Sequence, residues 1–171
     1  MSYKILIADD EPSIRELVRM ALEEANLTEI IEAENGRDTI EKATRFQPSL
    51  ILLDWMMPEM DGLSVCRTLK MQENTRNIPI IMLTAKSEES DIVLGLEMGA
   101  VDYITKPFSR KILIARVRAH LREQSEQSSA FEIRRGSLLI NTEQHYCKLA
   151  ESKINIFAIQ FAVMLFRIDQ Q

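Results

Sequence analysis

Apolar runs that end in polar residues are the feature of this chain that most limits its possible folds. In the clearest case, the run Leu50–Leu53 ends in Asp54 and is followed by a segment containing proline and glycine. Three more strand-like runs lead in the same way to polar side chains, which are Asp9 with Asp10, Thr84, and Lys106. In an open parallel α/β sheet, ligands bind outside the carboxyl ends of the strands. We therefore expect these acids, the hydroxyl and the ammonium to converge on one pocket.

Strand-like and helical patterns alternate along residues 1–122. The predicted strands are Tyr3–Ala8, Glu29–Ala33, Leu50–Asp54, Ile78–Thr84 and a short strand at Tyr103. The first predicted helix starts at Pro12. The other predicted helices cover Gly36 to Phe46, Leu63 to Lys70, Ser90 to Met98, and Ser109 to Glu123. Apolar residues that recur at helical spacing support these helices. The alternation predicts an α/β fold with a doubly wound, five-stranded parallel sheet.

The composition agrees with one cytoplasmic domain followed by an appendage. The chain has 171 residues and a formal net charge of -5, which argues against a nucleic-acid-binding surface spread over the whole protein. Its two cysteines, Cys66 and Cys147, lack metal-ligand spacing, so we expect a reducing compartment and no disulfide framework. No apolar run approaches the ~18 residues of a membrane span, and no signal peptide precedes the first strand. We therefore expect a cytoplasmic protein without a membrane partner.

With the acids, the hydroxyl and the lysine in this order, residues 1–122 resemble the receiver domain of two-component response regulators. The residues that carry the resemblance are Asp9, Asp10, Asp54, Thr84, Lys106 and Pro107. The resemblance implies a flavodoxin-like sheet with strand order 2-1-3-4-5. It also implies that Asp54 accepts a phosphoryl group from a sensor histidine kinase. The chain would then be no enzyme beyond catalysing its own phosphorylation and dephosphorylation.

The side chains of the predicted pocket suit phosphoryl transfer. A carboxylate that attacks a phosphoryl group needs a cation to remove the repulsion between the two anions, and an all-oxygen ligand set suits Mg²⁺. The expected ligands are the carboxylates of Asp10 and Asp54, Asp9 acting through a water, and the Met56 carbonyl. Lys106 would supply a positive charge to the phosphoryl oxygens, and the Thr84 hydroxyl would donate a hydrogen bond to them.

The same resemblance implies a switch that carries phosphorylation to another surface. Hydrogen bonding would draw Thr84 inward, and Tyr103 would rotate from an exposed to a buried position. Pro107 is expected, by resemblance, to follow a cis peptide bond. The surface that responds would be formed by the fourth predicted helix, the fifth strand and the fifth helix.

The sequence changes in character after Arg122. Residues 123–129 are polar and lack aliphatic side chains, which predicts a linker over 123–130. Residues 131–171 predict short antiparallel strands at 131–133, 138–140, 146–149 and 154–156, followed by a helix from about Ala158. This segment resembles the beginning of the winged-helix effector domain of OmpR/PhoB-type transcription regulators, although Phe157 and Gln160 replace the usual capping threonine and glutamate. The recognition helix of that domain would come later, so we expect DNA binding only in a full-length relative.

The OmpR/PhoB-type resemblance also implies a homodimer whose subunits are joined by ion pairs. At two positions that are usually charged, this chain has aliphatic residues instead. The predicted contact surface, called the output face below, comprises Ile92, Val101, Asp102, Ile112 and Arg116. Helical spacing sets Ile112 opposite the core-type residues Leu113, Val117 and Leu121. Replacing both members of an ion pair by aliphatic residues leaves no unpaired buried charge. We therefore expect an apolar contact, with Asp102 and Arg116 paired across the subunits.

Two function classes remain open from the sequence. One is a phosphorylation switch in a transcription-regulator lineage, and the other is a stand-alone phosphoacceptor that acts by protein contact or by sequestering phosphate or partner subunits. A flavin-binding protein would need a loop rich in Ser, Thr and Gly after the first strand, where residues 9–12 are acidic and end in proline. An aspartyl-phosphate hydrolase would need a second acid at Met56. His120 and His145 have no partner at ligand spacing, and we expect both on the surface.

Overall fold

The computed structural model describes residues 3–85, 95, 97–130, 132–135, 138–141, 146–149 and 152–154, with side chains up to residue 122. The chain divides into two compact units, Met1–Leu121 and Arg122–Gln171. None of the described helices combines the length and the apolar character that crossing a membrane requires.

A five-stranded parallel sheet forms the centre of the first unit. Its strands are β1 Lys4–Ala8, β2 Glu29–Ala33, β3 Leu50–Asp54, β4 Ile80–Thr84 and β5 Asp102–Thr105. The strand order is β2-β1-β3-β4-β5, and every neighbouring pair is parallel. This order confirms the predicted doubly wound sheet. β3 and β4 are buried along their whole length, as expected for apolar strands that helices cover on both faces.

Helices pack on both faces of this sheet. The helices that lie wholly within the described residues are α1 Pro12–Glu24, α2 Gly36–Phe46, α3 Gly62–Met71 and a long helix Arg110–Ala130, called the 110–130 helix below. Successive residues of a strand point to opposite faces, which divides the apolar side chains into two cores. One core includes Leu6, Ile51, Leu53, Ala43 of α2, and Val65 and Leu69 of α3. The other includes Ile5, Leu50, Leu52, Val18 and Leu22 of α1, and Leu113, Val117 and Leu121 of the 110–130 helix.

The register of the parallel strands aligns their carboxyl ends. The opposed pairs at this edge are Ala8 with Leu53, Asp54 with Leu83, and Thr84 with Thr105. The Asp9 N–H donates to the Ala33 carbonyl at 3.2 Å, so the acidic pair follows β1 without an intervening turn. The polar residues that end these strands therefore lie at one edge of the sheet, where the strand pattern predicts a pocket.

Most predicted boundaries in the first unit agree with the structure to within a residue, but the start of β4 does not. β4 begins at Ile80 rather than at Ile78. Pro79 has no N–H to donate to a neighbouring strand, which delays the start of regular pairing. Its carbonyl does accept from the Ile51 N–H at 3.0 Å.

The 110–130 helix is longer than the sequence predicts. The predicted end is Glu123, with a linker over 123–130, whereas the helix continues to Ala130. Glutamate and glutamine are good helix formers, so a polar run without aliphatic residues does not by itself end a helix. The domain boundaries 1–122 and 131–171 stay a prediction.

Most of the predicted helix Ser90–Met98 lies outside the described residues, and so does Ile92 of the output face. Gly95 and Glu97 are helical. Gly99 then adopts a positive φ of 97°. Helices commonly end at a left-handed glycine of this kind, so the backbone at Gly99 agrees with the predicted end of this helix.

An antiparallel sheet begins the second unit. Its strands are β6 Glu132–Arg135, β7 Leu138–Asn141, β8 Tyr146–Leu149 and β9 Ser152–Ile154, in the order β6-β7-β8-β9. Each neighbouring pair is antiparallel, as the sequence predicts for this segment. The last strand lies two residues closer to the N-terminus than predicted. The helix expected from Ala158, including the replaced cap positions Phe157 and Gln160, lies outside the described residues.

Candidate functional site

Three carboxylates meet at the carboxyl edge of the parallel sheet. Asp9 and Asp10 follow β1 and Asp54 ends β3, and one oxygen of each lies within 4.8 Å of the others. Asp9 and Asp54 are buried, with 1% and 4% of their surface exposed, while Asp10 is open to solvent. A cluster of carboxylate oxygens of this kind suits a hard divalent cation such as Mg²⁺. The structure thus brings together the three carboxylates predicted as metal ligands.

Lys106 bridges two of these acids. It follows β5, and its Nζ donates to Asp9 Oδ2 at 2.6 Å and to Asp54 Oδ1 at 2.8 Å. Its backbone N–H donates to the Thr84 carbonyl at 2.6 Å, which joins the ends of β5 and β4. The peptide bond between Lys106 and Pro107 is cis. Through its hydrogen bond to Asp54, the ammonium lies against the carboxylate that is predicted to be phosphorylated.

Burial and neighbouring charges shift the pKa values of Asp54 and Lys106. Burial raises the pKa of Asp54 and the charges of Asp9 and Asp10 raise it further, while the hydrogen bond from Lys106 lowers it, and the net direction is upward. Burial alone would lower the pKa of Lys106, but its hydrogen bonds to Asp54 and Asp9 outweigh burial and raise it. Lys106 is therefore held as an ammonium. A cation bound beside Asp54 would favour the ionised form of this carboxyl.

The loop after β3 returns closely to the strand end that carries Asp54. The Gly62 N–H donates to the Trp55 carbonyl at 2.8 Å. A Cβ at position 62 would lie 2.0 Å from the Asp54 carbonyl oxygen, so a larger residue cannot make this return. Asp61 then caps α3, because its Oδ1 accepts from the Ser64 N–H at 2.7 Å. Local chain geometry therefore fixes the backbone on both sides of this loop.

The two residues directly after Asp54 differ in exposure. Trp55 is 6% exposed, and its N–H donates to the Leu83 carbonyl at 3.0 Å, so the residue is anchored next to the pocket. Met56 is 60% exposed. The role of the Met56 carbonyl as a metal ligand stays a prediction.

Thr84 and Tyr103, the two residues predicted to switch, are both buried. Thr84 ends β4, and Tyr103 lies on the neighbouring strand β5. A Cβ on Gly95 would lie 3.4 Å from the Trp55 ring and 4.0 Å from the Tyr103 ring. Gly95 is therefore a close neighbour of both aromatic residues. The resemblance implies that Tyr103 moves from an exposed to a buried position, and the structure shows it at 9% exposure, in the buried one.

The described part of the output face combines exposed aliphatic residues with an ion pair. Val101 is 41% exposed and Ile112 is 52% exposed. Arg116 Nη1 donates to both carboxylate oxygens of Asp102, at 2.6 and 2.8 Å. This pair is expected between subunits, but the structure forms it inside one chain, because the 110–130 helix packs against β5.

His120 is a neighbour of the output face that the sequence does not reveal. It is expected as a plain surface residue, and this expectation is wrong, since its side chain is 16% exposed and its Nε2 lies 3.2 Å from Asp102 Oδ2. Burial would raise the pKa of Asp102, but hydrogen bonds from Arg116, from the Tyr103 N–H and from His120 outweigh burial and lower it. The available signal is the four-residue spacing of Arg116 and His120, which sets both on one helix face.

Arg15 is a second residue near the site that the sequence does not single out. It lies on α1, and its Nη1 donates to the Asp9 carbonyl at 2.8 Å. In the sequence nothing distinguishes it from Arg19, one turn later on the same helix. Only the path of α1 past the end of β1 gives Arg15 this contact.

Comparison with known proteins agrees with this geometry. Residues 5–118 match the response regulator receiver domain family. The chain is 42% identical over 167 residues to the phosphate regulon transcriptional regulatory protein PhoB of Pseudomonas aeruginosa, covering 98% of this chain and 72% of PhoB. It is 39% identical over 175 residues to the alkaline phosphatase synthesis transcriptional regulatory protein PhoP of Bacillus subtilis, covering 97% of this chain and 72% of PhoP.

Solved receiver structures are similar as well. The receiver domain of the Francisella response regulator 1452 has a TM-score of 0.68 and 32% identity, with 72% of this chain and 99% of that chain covered. A putative response regulator from Chloroflexus aurantiacus has a TM-score of 0.68 and 30% identity, with 71% and 99% covered. The order of the strands, the acids at their ends and these matches agree, and the chain belongs to the response regulator receiver domain family of two-component systems.

Proposed function

We propose that this response regulator accepts a phosphoryl group on Asp54 from a sensor histidine kinase in a Mg²⁺-dependent reaction. The observation that carries the proposal is the position of Asp54, buried at the end of β3 beside two further acids and in contact with an ammonium. The relatives named as transcriptional regulatory proteins support a role in the control of transcription.

Asp54 would act as the nucleophile. One of its carboxylate oxygens attacks the phosphorus of a phosphohistidine, the P–N bond breaks, and an acyl phosphate forms on the aspartate. A Mg²⁺ ion held by Asp10 and Asp54, by Asp9 through a water and by the Met56 carbonyl would offset the repulsion between carboxylate and phosphoryl group. Lys106 adds a fixed positive charge at 2.8 Å from the attacking group.

The phosphoryl group would then act on the switch residues. The Thr84 hydroxyl would donate a hydrogen bond to a phosphoryl oxygen, and this bond would favour the buried position of Tyr103. Phosphorylation would thereby shift a pre-existing equilibrium of the output face rather than create a new surface.

We also propose that the output face joins two copies of the chain. The exposed aliphatic residues Val101 and Ile112 support this proposal, and Ile92 would extend the same surface. Burial of aliphatic residues does not depend on screening by salt, unlike attraction between charges. The dimer would therefore survive higher ionic strength than one joined by ion pairs.

Intact-mass spectrometry tests phosphorylation directly. Incubation with acetyl phosphate and Mg²⁺ is expected to add the mass of one phosphoryl group to the wild type. Asp54→Asn should abolish this addition, because an amide oxygen is a poor nucleophile. Asp61→Asn, a change of the same size seven residues later, serves as the matched control and should be modified like the wild type. An unchanged mass of the wild type would refute the proposal.

A further inference from the structure

Every polar atom of Asp9 has a partner within this chain. Its N–H donates to the Ala33 carbonyl at 3.2 Å, and its Oδ1 accepts from the Glu11 N–H at 3.0 Å. Its Oδ2 accepts from Lys106, and its carbonyl oxygen accepts from Arg15. Two of these four partners are backbone groups, and Lys106 is bound to carboxylates of the site. Arg15 is the remaining partner, and among its described interactions it contacts the Asp9 backbone but none of the three clustered carboxylates.

The Asp9 carbonyl affects the orientation of two acids of the site because it belongs to the peptide that joins Asp9 to Asp10. A peptide unit is planar, so a hydrogen bond that fixes this carbonyl also fixes the plane that both residues share. The directions in which the two side chains leave the backbone depend on that plane. A single contact at 2.8 Å from Arg15 Nη1 therefore restrains two of the three clustered acids.

Arg15 is itself held in place from the other side. Its Nε donates to Glu32 Oε2 at 3.1 Å, and its side chain is 14% exposed. Glu32 lies on β2, next to β1 in the sheet. The Glu32 carboxylate also lies 3.2 Å from Arg19 Nε, as an ion pair without hydrogen-bond geometry. The Arg15 guanidinium is thus restrained between an anchor on β2 and the carbonyl at the end of β1.

A purely structural role would be to tie α1 to β2. Arg19 also pairs with Glu32, by an ion pair rather than a hydrogen bond, and it pairs with Glu16 as well, but it has no contact with Asp9 among its described interactions. The two arginines share a helix, a partner and a charge, and they differ in the contact to the Asp9 carbonyl. This difference separates an effect on the site from an effect on helix packing.

We infer that Arg15, oriented by Glu32, is a positioning residue that holds Asp9 and Asp10 in the arrangement that binds the divalent cation. The inference rests on the proposed Mg²⁺-dependent phosphorylation of Asp54. Groups that orient metal ligands from behind commonly change metal affinity by about 10-fold or more when they are removed.

The test is a Mg²⁺ titration followed by the fluorescence of Trp55, the single tryptophan of the chain. Arg15→Ala is expected to raise the Mg²⁺ concentration at half-maximal response by about 10-fold. The matched control Arg19→Ala should respond like the wild type. Arg15→Lys keeps a cation that can still donate a hydrogen bond to the Asp9 carbonyl but lacks the planar guanidinium, so it should recover part of the lost affinity. Thermal unfolding of each variant, followed by circular dichroism, shows whether it is folded.

The rate of phosphorylation by acetyl phosphate at increasing Mg²⁺ provides a second measurement. Arg15→Ala should need more Mg²⁺ and then approach the wild-type rate, because the nucleophile and Lys106 are unchanged. Wild-type affinity in Arg15→Ala, or an equal loss in Arg15→Ala and Arg19→Ala, would overturn the positioning role alone. A wild type that neither responds to Mg²⁺ nor becomes phosphorylated would overturn the proposed function, and this inference with it.

Discussion

At the scale of single residues, the site places an ammonium among carboxyl groups whose ionised form burial would otherwise disfavour. Asp54 is almost fully buried and has Asp9 and Asp10 as neighbours, so its pKa is raised even though Lys106 donates a hydrogen bond to it. Lys106 remains charged because two carboxylates accept from its Nζ. The nucleophile is thus kept in an environment that a bound cation would make more favourable for its ionised form.

The raised pKa of Asp54 predicts how stability depends on pH. The folded chain binds a proton at Asp54 more readily than the unfolded chain, so the free energy of unfolding decreases as pH rises above the ordinary value of 3.8. Asp54→Asn removes this titration and leaves Lys106 paired with Asp9. We expect the variant to be more stable than the wild type at neutral pH, with a difference that shrinks as pH falls towards 3.8.

Urea denaturation at several pH values in the absence of Mg²⁺ measures this difference. Glu73→Gln, which neutralises an exposed carboxylate, is the control and should change stability little at any pH. Equal stability of Asp54→Asn and the wild type across the whole range would show that burial of Asp54 has no energetic consequence.

At the scale of secondary-structure elements, short local signals set where helices begin and end. α2 begins after Asn35, whose Oδ1 accepts from the Asp38 N–H at 2.9 Å. α3 begins in the same way after Asp61. Pro12 stands in the first turn of α1, where its missing N–H is not needed. The polar run at the end of the 110–130 helix has no such stop signal, and the helix continues through it.

The cap of α3 predicts a measurable loss of stability. Asp61→Ala removes the acceptor for the Ser64 N–H and should lower the free energy of unfolding by about 1 kcal/mol. Asp61→Asn keeps a side-chain oxygen at the same place and should retain most of that stability. Urea midpoints of the two variants compare them. If Asp61→Asn loses as much as Asp61→Ala, the negative charge at the helix start matters and the cap does not.

At the scale of the whole molecule, the output face presents aliphatic residues beside charges that are already paired. Asp102 is held inside its own chain by Arg116 and His120. An association through this face would therefore depend mainly on apolar burial, unless the ion pair exchanged between subunits. Exposed apolar residues that form one patch are common at surfaces where proteins associate.

Sedimentation measures the proposed dimer. With beryllofluoride as a phosphoryl mimic, the wild type should dimerise and remain dimeric at raised salt. Ile112→Glu should weaken association by roughly 10-fold or more, because it places an unpaired charge in the contact. Met71→Glu alters an apolar residue on α3 that is more exposed than Ile112, and it should leave the dimer intact. An intact activated dimer in Ile112→Glu, or no dimer in the wild type, would refute the apolar contact.

The alternation of strands and helices could be predicted from the sequence, and so could the acids, hydroxyl and lysine that end the strands. These features depend on residue spacing along the chain, and the parallel arrangement follows from connections that each contain a helix. The resemblance to receiver domains added the strand order, which the structure confirms.

The contacts between side chains that are far apart in the sequence could be read only from the folded chain. Arg15 and Arg19 look alike in the sequence, and only the path of α1 past the end of β1 brings one of them to the Asp9 carbonyl. Asp102 and Arg116 pair inside one chain, with His120 beside them, because the 110–130 helix packs against β5. Such contacts depend on the relative placement of whole elements, which is set by the packing of many side chains at once and is not encoded by any local pattern.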